Sequence, residues 1–210
     1  MNYDLEMEKI IELEQRKNRV PRLLLHTCCA PCSSSVITRL SKYFNITVFY
    51  YNPNIEPEEE YIKRKEEQIR FLKAFKGVNS IDFLDCDYDV EKFQNLCIGL
   101  ENEPEGGSRC AKCFRLRLKK TAQVAKENNF DYFGTSLTVS PYKNASILNG
   151  IGLSLAKEYN VSYLVSDFKK KDGYKKSIEL SREYELYRQD YCGCKYSKAE
   201  RERYKSLKQK

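Results

Sequence analysis

The chain has 210 residues, with 37 Lys plus Arg against 30 Asp plus Glu, a single His and a formal net charge of +7. That length suits one domain with small appendages, and a 41% hydrophobic content is too high for a disordered chain. The longest apolar stretch, Ile46 to Tyr51 broken by Thr47, falls well short of the about 20 residues a membrane span needs, so no membrane partner is expected.

The opening MNYDLEMEKIIELEQRKNR mixes acids and bases without the apolar region of a signal peptide, which predicts a helical lead over residues 1–20 and a cytoplasmic location. From Arg22 strands and helices alternate. Leu23, Leu24 and Leu25 make a first strand; after HTCCAPCSS, Ile37, Leu40 and Phe44 share a helical face, and Ile46 to Tyr51 makes a second strand. Pro57 followed by Glu58, Glu59 and Glu60 predicts a helix start, because proline fits the first turn and acids face the positive dipole end. That helix runs to about Lys76 and stops at Gly77. A third strand near Ile81 to Leu84 precedes a short helix with Phe93, Leu96 and Leu100, and the turn-rich ENEPEGGS then interrupts the pattern. Next comes a helix with Phe114, Leu118, Ala122 and Ala125 on one face. Further strands are expected at Phe130–Thr135 and Val161–Val165, separated by a helix with Ile147, Ile151 and Leu155 facing inward. The tyrosine-rich tail reads as helices at the sheet edge or over the strand ends. This alternation predicts an α/β fold, a parallel sheet with helices on both faces whose sites lie at the carboxyl ends of the strands. Residues 21–210 are expected to form one catalytic domain with a C-terminal helical extension from about residue 177.

Nine cysteines call for an explanation. Their odd number and the lack of an export signal argue against a disulfide scaffold, leaving metal or redox chemistry. With His26 the only histidine, a soft-metal site must rest on thiolates, which excludes His-rich zinc and non-haem iron patterns. Cys28 and Cys29 fall where the first strand should end, just before Pro31, where backbone N–H groups and the helix dipole stabilise thiolates. Cys110 and Cys113 form a C-x-x-C opening another helix. Together they give the ligand count of a [4Fe-4S] cluster; a four-thiolate zinc site has the same count, although adjacent cysteines fit the larger cluster more easily. Cys192 and Cys194 flank Gly193. A disulfide across one residue closes a small ring that glycine permits, and strained disulfides are easily reduced. The pair reads as a two-electron redox couple, with further metal ligands or two idle thiols as alternatives. Cys97 belongs to the apolar face of Phe93, Cys86 has no assigned role, and Cys32 is either an auxiliary ligand or a packing residue.

Positive charge gathers in Arg109, Lys112, Arg115, Arg117, Lys119 and Lys120, and again in Lys169, Lys170, Lys171, Lys175 and Lys176. Basic surface around a redox centre predicts a polyanionic substrate. Tyr142, Tyr174, Tyr187, Tyr191 and Tyr196 lie near these stretches and can stack on an unpaired base. Phosphate-loop and dinucleotide glycine motifs are absent, and HTCCAPCSSS occupies the turn where they would sit, which argues against ATP or NAD dependence.

HTCCAPCSS, RCAKCFRLRL, TSLTVSPYKN and YRQDYCGCKYS, in this order, resemble the cobalamin-independent epoxyqueuosine reductases, the QueH family, over about Leu23 to Ser197. The resemblance implies a Rossmann-like sheet of the nucleotide-hydrolase-like HUP architecture and two-electron reduction of epoxyqueuosine to queuosine at the wobble position of a tRNA anticodon. It also implies that Cys28, Cys29, Cys110 and Cys113 hold a [4Fe-4S] cluster with an additional iron beside it. Cys192 and Cys194 would form a redox-active disulfide that an external thiol or protein reductant resets. The electron count agrees, since removing the epoxide oxygen as water takes two electrons and two thiols release two on forming a disulfide. Tyr142 and Asp167, at predicted strand ends, are candidates to protonate the departing oxygen. Two readings from other classes are a zinc-stabilised RNA-binding module and an iron-sulfur electron-transfer protein without substrate chemistry.

Overall fold

Residues that alternate between two apolar faces need cover on both sides, and the strands of this chain alternate in that way. In the computed structural model, which describes residues 1–208, β1 (Arg22–His26), β2 (Asn45–Tyr50), β3 (Ile81–Asp85), β4 (Tyr132–Thr135) and β5 (Ser162–Tyr163) pair in parallel in the order β3-β2-β1-β4-β5. Leu23 lies opposite Ile46 and Leu25 opposite Val48, while His26 pairs with both Phe49 and Thr135. Leu23, Leu25, Ile46 and Val48 turn to one face. There they meet Met7 of α1 (Tyr3–Arg16), Ile37 and Leu40 of α2 (Ala30–Leu40) and Phe71 of α3 (Glu58–Ala74). Leu24, Phe49 and Phe133 turn to the other. Beyond α4 (Val90–Cys97), they pack on Leu118 and Ala122 of α5 (Ser108–Glu127) and on Leu148 and Leu155 of α6 (Ala145–Tyr159). A parallel sheet covered on both faces is the expected outcome.

The chain leaves β1 toward β2 on one side and returns to β4 on the other, so the crevice outside the carboxyl end of β1 is the place where ligands bind in such sheets. The turn after β1 carries the first cysteines. The C-terminal part begins with α7 (Gly173–Glu183), slightly ahead of the expected start, and ends with α8 (Lys195–Lys208). The loop between them returns Cys192–Cys194 to the end of β2, where the Glu56 N–H donates to the Gly193 carbonyl at 2.9 Å.

Two expectations need correction. The fifth strand pairs only over Ser162–Tyr163, not to Val165. Beyond it the Asn149 amide takes over, accepting from Ser166 N at 2.9 Å and donating to Ser166 O at 2.8 Å. The same side chain turns α6 by about one residue from the predicted face. Leu148, Asn149, Gly152 and Leu155 are buried, while Ile147 and Ile151 are only partly so. Among the described residues no helix is long and apolar enough to cross a membrane.

Candidate metal and thiol centre

After β1 the chain runs through Thr27 and Cys28 to Cys29, which is the N-cap of α2 with extended backbone and Pro31 in the first turn. Gln68 of α3 pins this turn, its Oε1 accepting from Thr27 Oγ1 at 3.3 Å and from Ser33 Oγ at 2.8 Å. Cys32 returns one helical turn later. As a result the Sγ atoms of Cys28, Cys29 and Cys32 lie within 4.8 Å of one another. Hydrogen bonds from its neighbours Cys29 and Cys32 hold the Cys28 thiol well below its ordinary pKa. The contact with Cys28, with burial, pushes Cys29 up to about 12, and both neighbours raise Cys32 well above the usual thiol value. Of the three sulfurs, Cys28 is the one whose ionised form its neighbours favour, and metal binding would displace the protons the others carry.

A buried cation stands behind them. Arg117 of α5, 1% exposed, donates through Nη2 to Asn52 Oδ1 at 2.8 Å and sets Nε 3.3 Å from His26 Nε2. Burial and the Arg117 charge drive the His26 pKa down to about 3, so the ring is neutral. Its Nε2 lies 3.1 Å from Tyr51 O as well, and Nδ1 lies 3.2 Å from Thr135 Oγ1. A neutral ring serves either Arg117 or Tyr51 at Nε2, with Nδ1 taking the complementary role. The one histidine is therefore committed to tying β1, β2 and β4 together.

On α5 the spacing of Cys110, Cys113 and Arg117 puts all three on the inward face. Cys113 packs with Phe93, Cys97 and Cys194, and burial raises its pKa to about 12. Although its own burial opposes charge, Arg117 keeps its proton, since a guanidinium ordinarily titrates above about 12 and the neighbouring sulfurs of Cys113 and Cys28 raise it further. The two sequence motifs thus meet across Arg117. Among the described residues, Cys110 and Cys113 lie outside the tight group, and Cys32 takes the third place in it.

The C-x-C loop docks beside this centre with both thiols free. Gly193 has φ +141°, and a Cβ there would stand 3.0 Å from Ile55 Cγ1 and 3.3 Å from Arg64 Nη1, so conformation and space both require glycine. Arg64 of α3 donates to the Cys192 carbonyl at 3.0 Å, and Gln189 Nε2 donates to Cys29 Sγ at 2.8 Å. Cys97 is fully buried, as expected of a core thiol, and Cys86 is raised by burial at the end of β3.

The basic stretch divides between core and surface. Arg109 and Arg117 are buried, whereas Lys112, Arg115 and Lys119 are exposed along one face of α5, where Arg115 and Lys119 share a single acid, Glu158 of α6, at 3.0 and 3.7 Å. Most of the tyrosines are committed too. Tyr187 bonds Glu67 and Glu60, Tyr191 bonds the Glu56 carbonyl, and Tyr196 lies under Arg109. Tyr174 is half-buried, and Tyr142 is the one of the five that stands exposed, at 78%. It overhangs a cleft of about 710 Å³ lined also by Lys143, Asp167, Lys169, Lys170 and the first residues of the chain. Lys169 pairs with Asp167 at 2.9 Å. Burial works against the Lys143 ammonium, but the sulfurs of Cys28 and its neighbours outweigh it and raise its pKa, and the same lysine lines the cleft. Lys143 and Gln189 lie inside motifs conspicuous in the sequence. Arg64 sits in a run of ordinary helix-surface residues and gave no signal.

A family model described as Epoxyqueuosine reductase QueH matches residues 23–200. The chain is 44% identical over 199 residues to the epoxyqueuosine reductase QueH of Streptococcus pyogenes serotype M1, covering 94% of this chain and 78% of that protein. With the enzyme of the same name from Staphylococcus epidermidis it is 42% identical over 201 residues, covering 94% and 84%. With that of Thermotoga maritima it is 33% identical over 182 residues, covering 85% and 91%.

Proposed function

The chain belongs to the epoxyqueuosine reductase QueH family of oxidoreductases, and from that premise we propose that it reduces epoxyqueuosine to queuosine in tRNA with Cys192 and Cys194 as the electron source. The observation that carries this reading is the docking of a C-x-C loop against a buried thiol group at the carboxyl end of β1, where Gln189 touches Cys29.

The donor set fits an iron-sulfur group. It is all thiol, largely buried, and flanked by the cations Arg117 and Lys143, whose charge offsets part of the cost of burying thiolates. Cys28, Cys29, Cys110 and Cys113 would hold a [4Fe-4S] cluster; thiolates around a cluster stand farther apart than those around one ion, which accommodates the pair on α5. Cys32, in contact with Cys28 and Cys29, is the thiol best placed for an adjacent iron. Bound there, such a group supplies one-electron transfer between a two-electron thiol couple and the substrate, together with a Lewis-acidic metal.

The protein's own groups account for the rest. When Cys192 and Cys194 join, two S–H bonds break and one S–S bond forms, releasing two electrons and two protons. The epoxide uses the same number: both C–O bonds break, a C=C bond forms and the oxygen leaves as water. An external thiol or protein reductant then restores the dithiol. The cleft beneath Tyr142 is the entry for the anticodon arm, with Lys169 and Lys170 on phosphates and Tyr142 stacked on a base. Anaerobic incubation of reduced, iron-loaded enzyme with tRNA containing epoxyqueuosine, followed by nucleoside mass analysis, should show one queuosine per enzyme without added reductant. Cys192→Ser should keep the brown colour and form none. Full single-turnover product from Cys192→Ser would remove the C-x-C pair from the reaction.

A further inference from the structure

Besides Ser197, which caps its C-terminal side, four contacts fasten the C-x-C loop, and two of them come from residues that the chemistry above does not use. Arg64 is 1% exposed, an unusual place for a guanidinium. Its Nε donates to Glu60 Oε1 at 2.7 Å, its Nη1 donates to the Cys192 carbonyl at 3.0 Å, and its buried Nη2 has no partner. The Tyr191 ring lies 5.1 Å from the guanidinium carbon. Gln189, three residues before Cys192, spends its amide N–H on Cys29 Sγ and leaves its buried Oε1 unbonded. A buried donor without a partner costs free energy, so the unpaired Nη2 needs a reason. The other two fastenings, from Glu56 N to the Gly193 carbonyl at 2.9 Å and from Tyr191 Oη to the Glu56 carbonyl at 3.1 Å, are backbone seats of the same loop.

We propose that Arg64 and Gln189 are positioning residues which latch the C-x-C loop onto the Cys29 thiol in its dithiol form, and so couple the redox state of Cys192–Cys194 to the metal-binding sulfur. The inference rests on the functional reading above. With both thiols free, the Cys192 and Gly193 carbonyls are held by Arg64 and Glu56, and a disulfide ring across one residue puts strain on that same backbone. The latch therefore favours the dithiol, and a stabilised dithiol makes a more oxidising couple. Because coupling is reciprocal, whatever occupies Cys29 biases the pair, and the state of the pair biases whatever Cys29 holds.

The test is the dithiol–disulfide equilibrium of Cys192 and Cys194 in full-length, iron-loaded protein poised anaerobically in glutathione buffers, read by alkylation and mass analysis. Here the two thiols give two electrons and two protons to oxidised glutathione. Arg64→Lys keeps the charge but loses the fork, and Gln189→Leu keeps the bulk but loses the amide. Each should move the equilibrium toward the disulfide by about tenfold, about 30 mV for a two-electron couple, at unchanged iron content. A second readout is the midpoint of the iron-sulfur signal by electron paramagnetic resonance. It should differ between the dithiol and disulfide states of the wild type and lose that difference in the double variant. A wild-type transition that neither variant moves, at full iron content, overturns the latch alone. A wild-type pair that shows no transition at any poise overturns the electron-source reading and the latch with it.

Discussion

Residues 109–120 and residues 142–170 both bring lysine or arginine to the neighbourhood of the same sulfurs, yet they use the charge in opposite ways. On α5 the helical period turns Arg109 and Arg117 inward, where they bond backbone carbonyls, Asn52 and His26, and of the cations left outside two share Glu158. In the loops after β4 and β5, Lys169, Lys170 and Tyr142 line an open cleft, with Lys169 held by Asp167 and the Thr138 carbonyl and Lys170 left to face it. A cluster of cations in a sequence therefore says little about a binding face until it is known which of them the helix period sends into the core.

The contrast is sharpest at Arg117 and Lys119, two residues apart. Arg117→Met should destabilise the fold by about 3 kcal/mol, because Asn52 and the buried thiolate lose their partner, whereas Lys119→Ala should stay within about 0.5 kcal/mol. Denaturant unfolding of both, with iron content for the first, measures the difference; equal small effects would mean that the inward charge is dispensable. At the cleft, Tyr142→Ala should weaken binding of a tRNA anticodon stem-loop by about 1–3 kcal/mol, the worth of one stacked base, while Tyr142→Phe should bind as the wild type does. A Phe variant that binds normally but turns over slowly would instead assign the hydroxyl to proton delivery. Smaller again is the phosphate term. Replacing Lys169 and Lys170 together by Ala should lower the slope of log affinity against log salt by about 1.8, at roughly 0.9 per contact. Lys112 and Lys119 replaced together should lower it by less; the opposite order would restore α5 as the RNA face.

The smallest effect concerns how the second stretch is held. Glu8 of α1 takes Lys171 and Arg39, and the hydrogen bond from Lys171 keeps its carboxyl below the usual pKa despite some desolvation. A lowered folded value means the clip is intact above about pH 4.3 and is lost as the pH falls through the folded pKa. Hydrogen exchange of α1 should therefore quicken on acidification in the wild type and be already fast at neutral pH in Glu8→Gln. An exchange rate that ignores both changes would show that α1 is held without the Glu8 clip, by Met7 and Ile11 packed with Leu23 and Leu25 and by the Asp4 and Glu14 contacts.

Much of this molecule follows from local pattern. The period of two in Leu23–Leu25 and Ile46–Phe49 defines strands with two apolar faces, Pro31 and Pro57 mark helix starts, and Gly193 marks a place where only glycine fits, so the α/β class and the cysteine-bearing turns are legible from the chain alone. The four motifs, taken in order, also carry the family. Tertiary structure decided what spacing cannot reach. It set Cys32 within 4.8 Å of Cys28 and Cys29, because Gln68 of a distant helix fixes the turn between them. It buried Arg64 and Arg117, since a helix in isolation has no inside until a sheet and a returning loop define one. It ended β5 early, because an asparagine three turns of helix away competes for the backbone of Ser166. Sequence determines which groups a chain has and the period at which they recur; which of them meet is decided by long-range packing, where burial turns an ordinary arginine or glutamine into a partner of the reacting sulfurs.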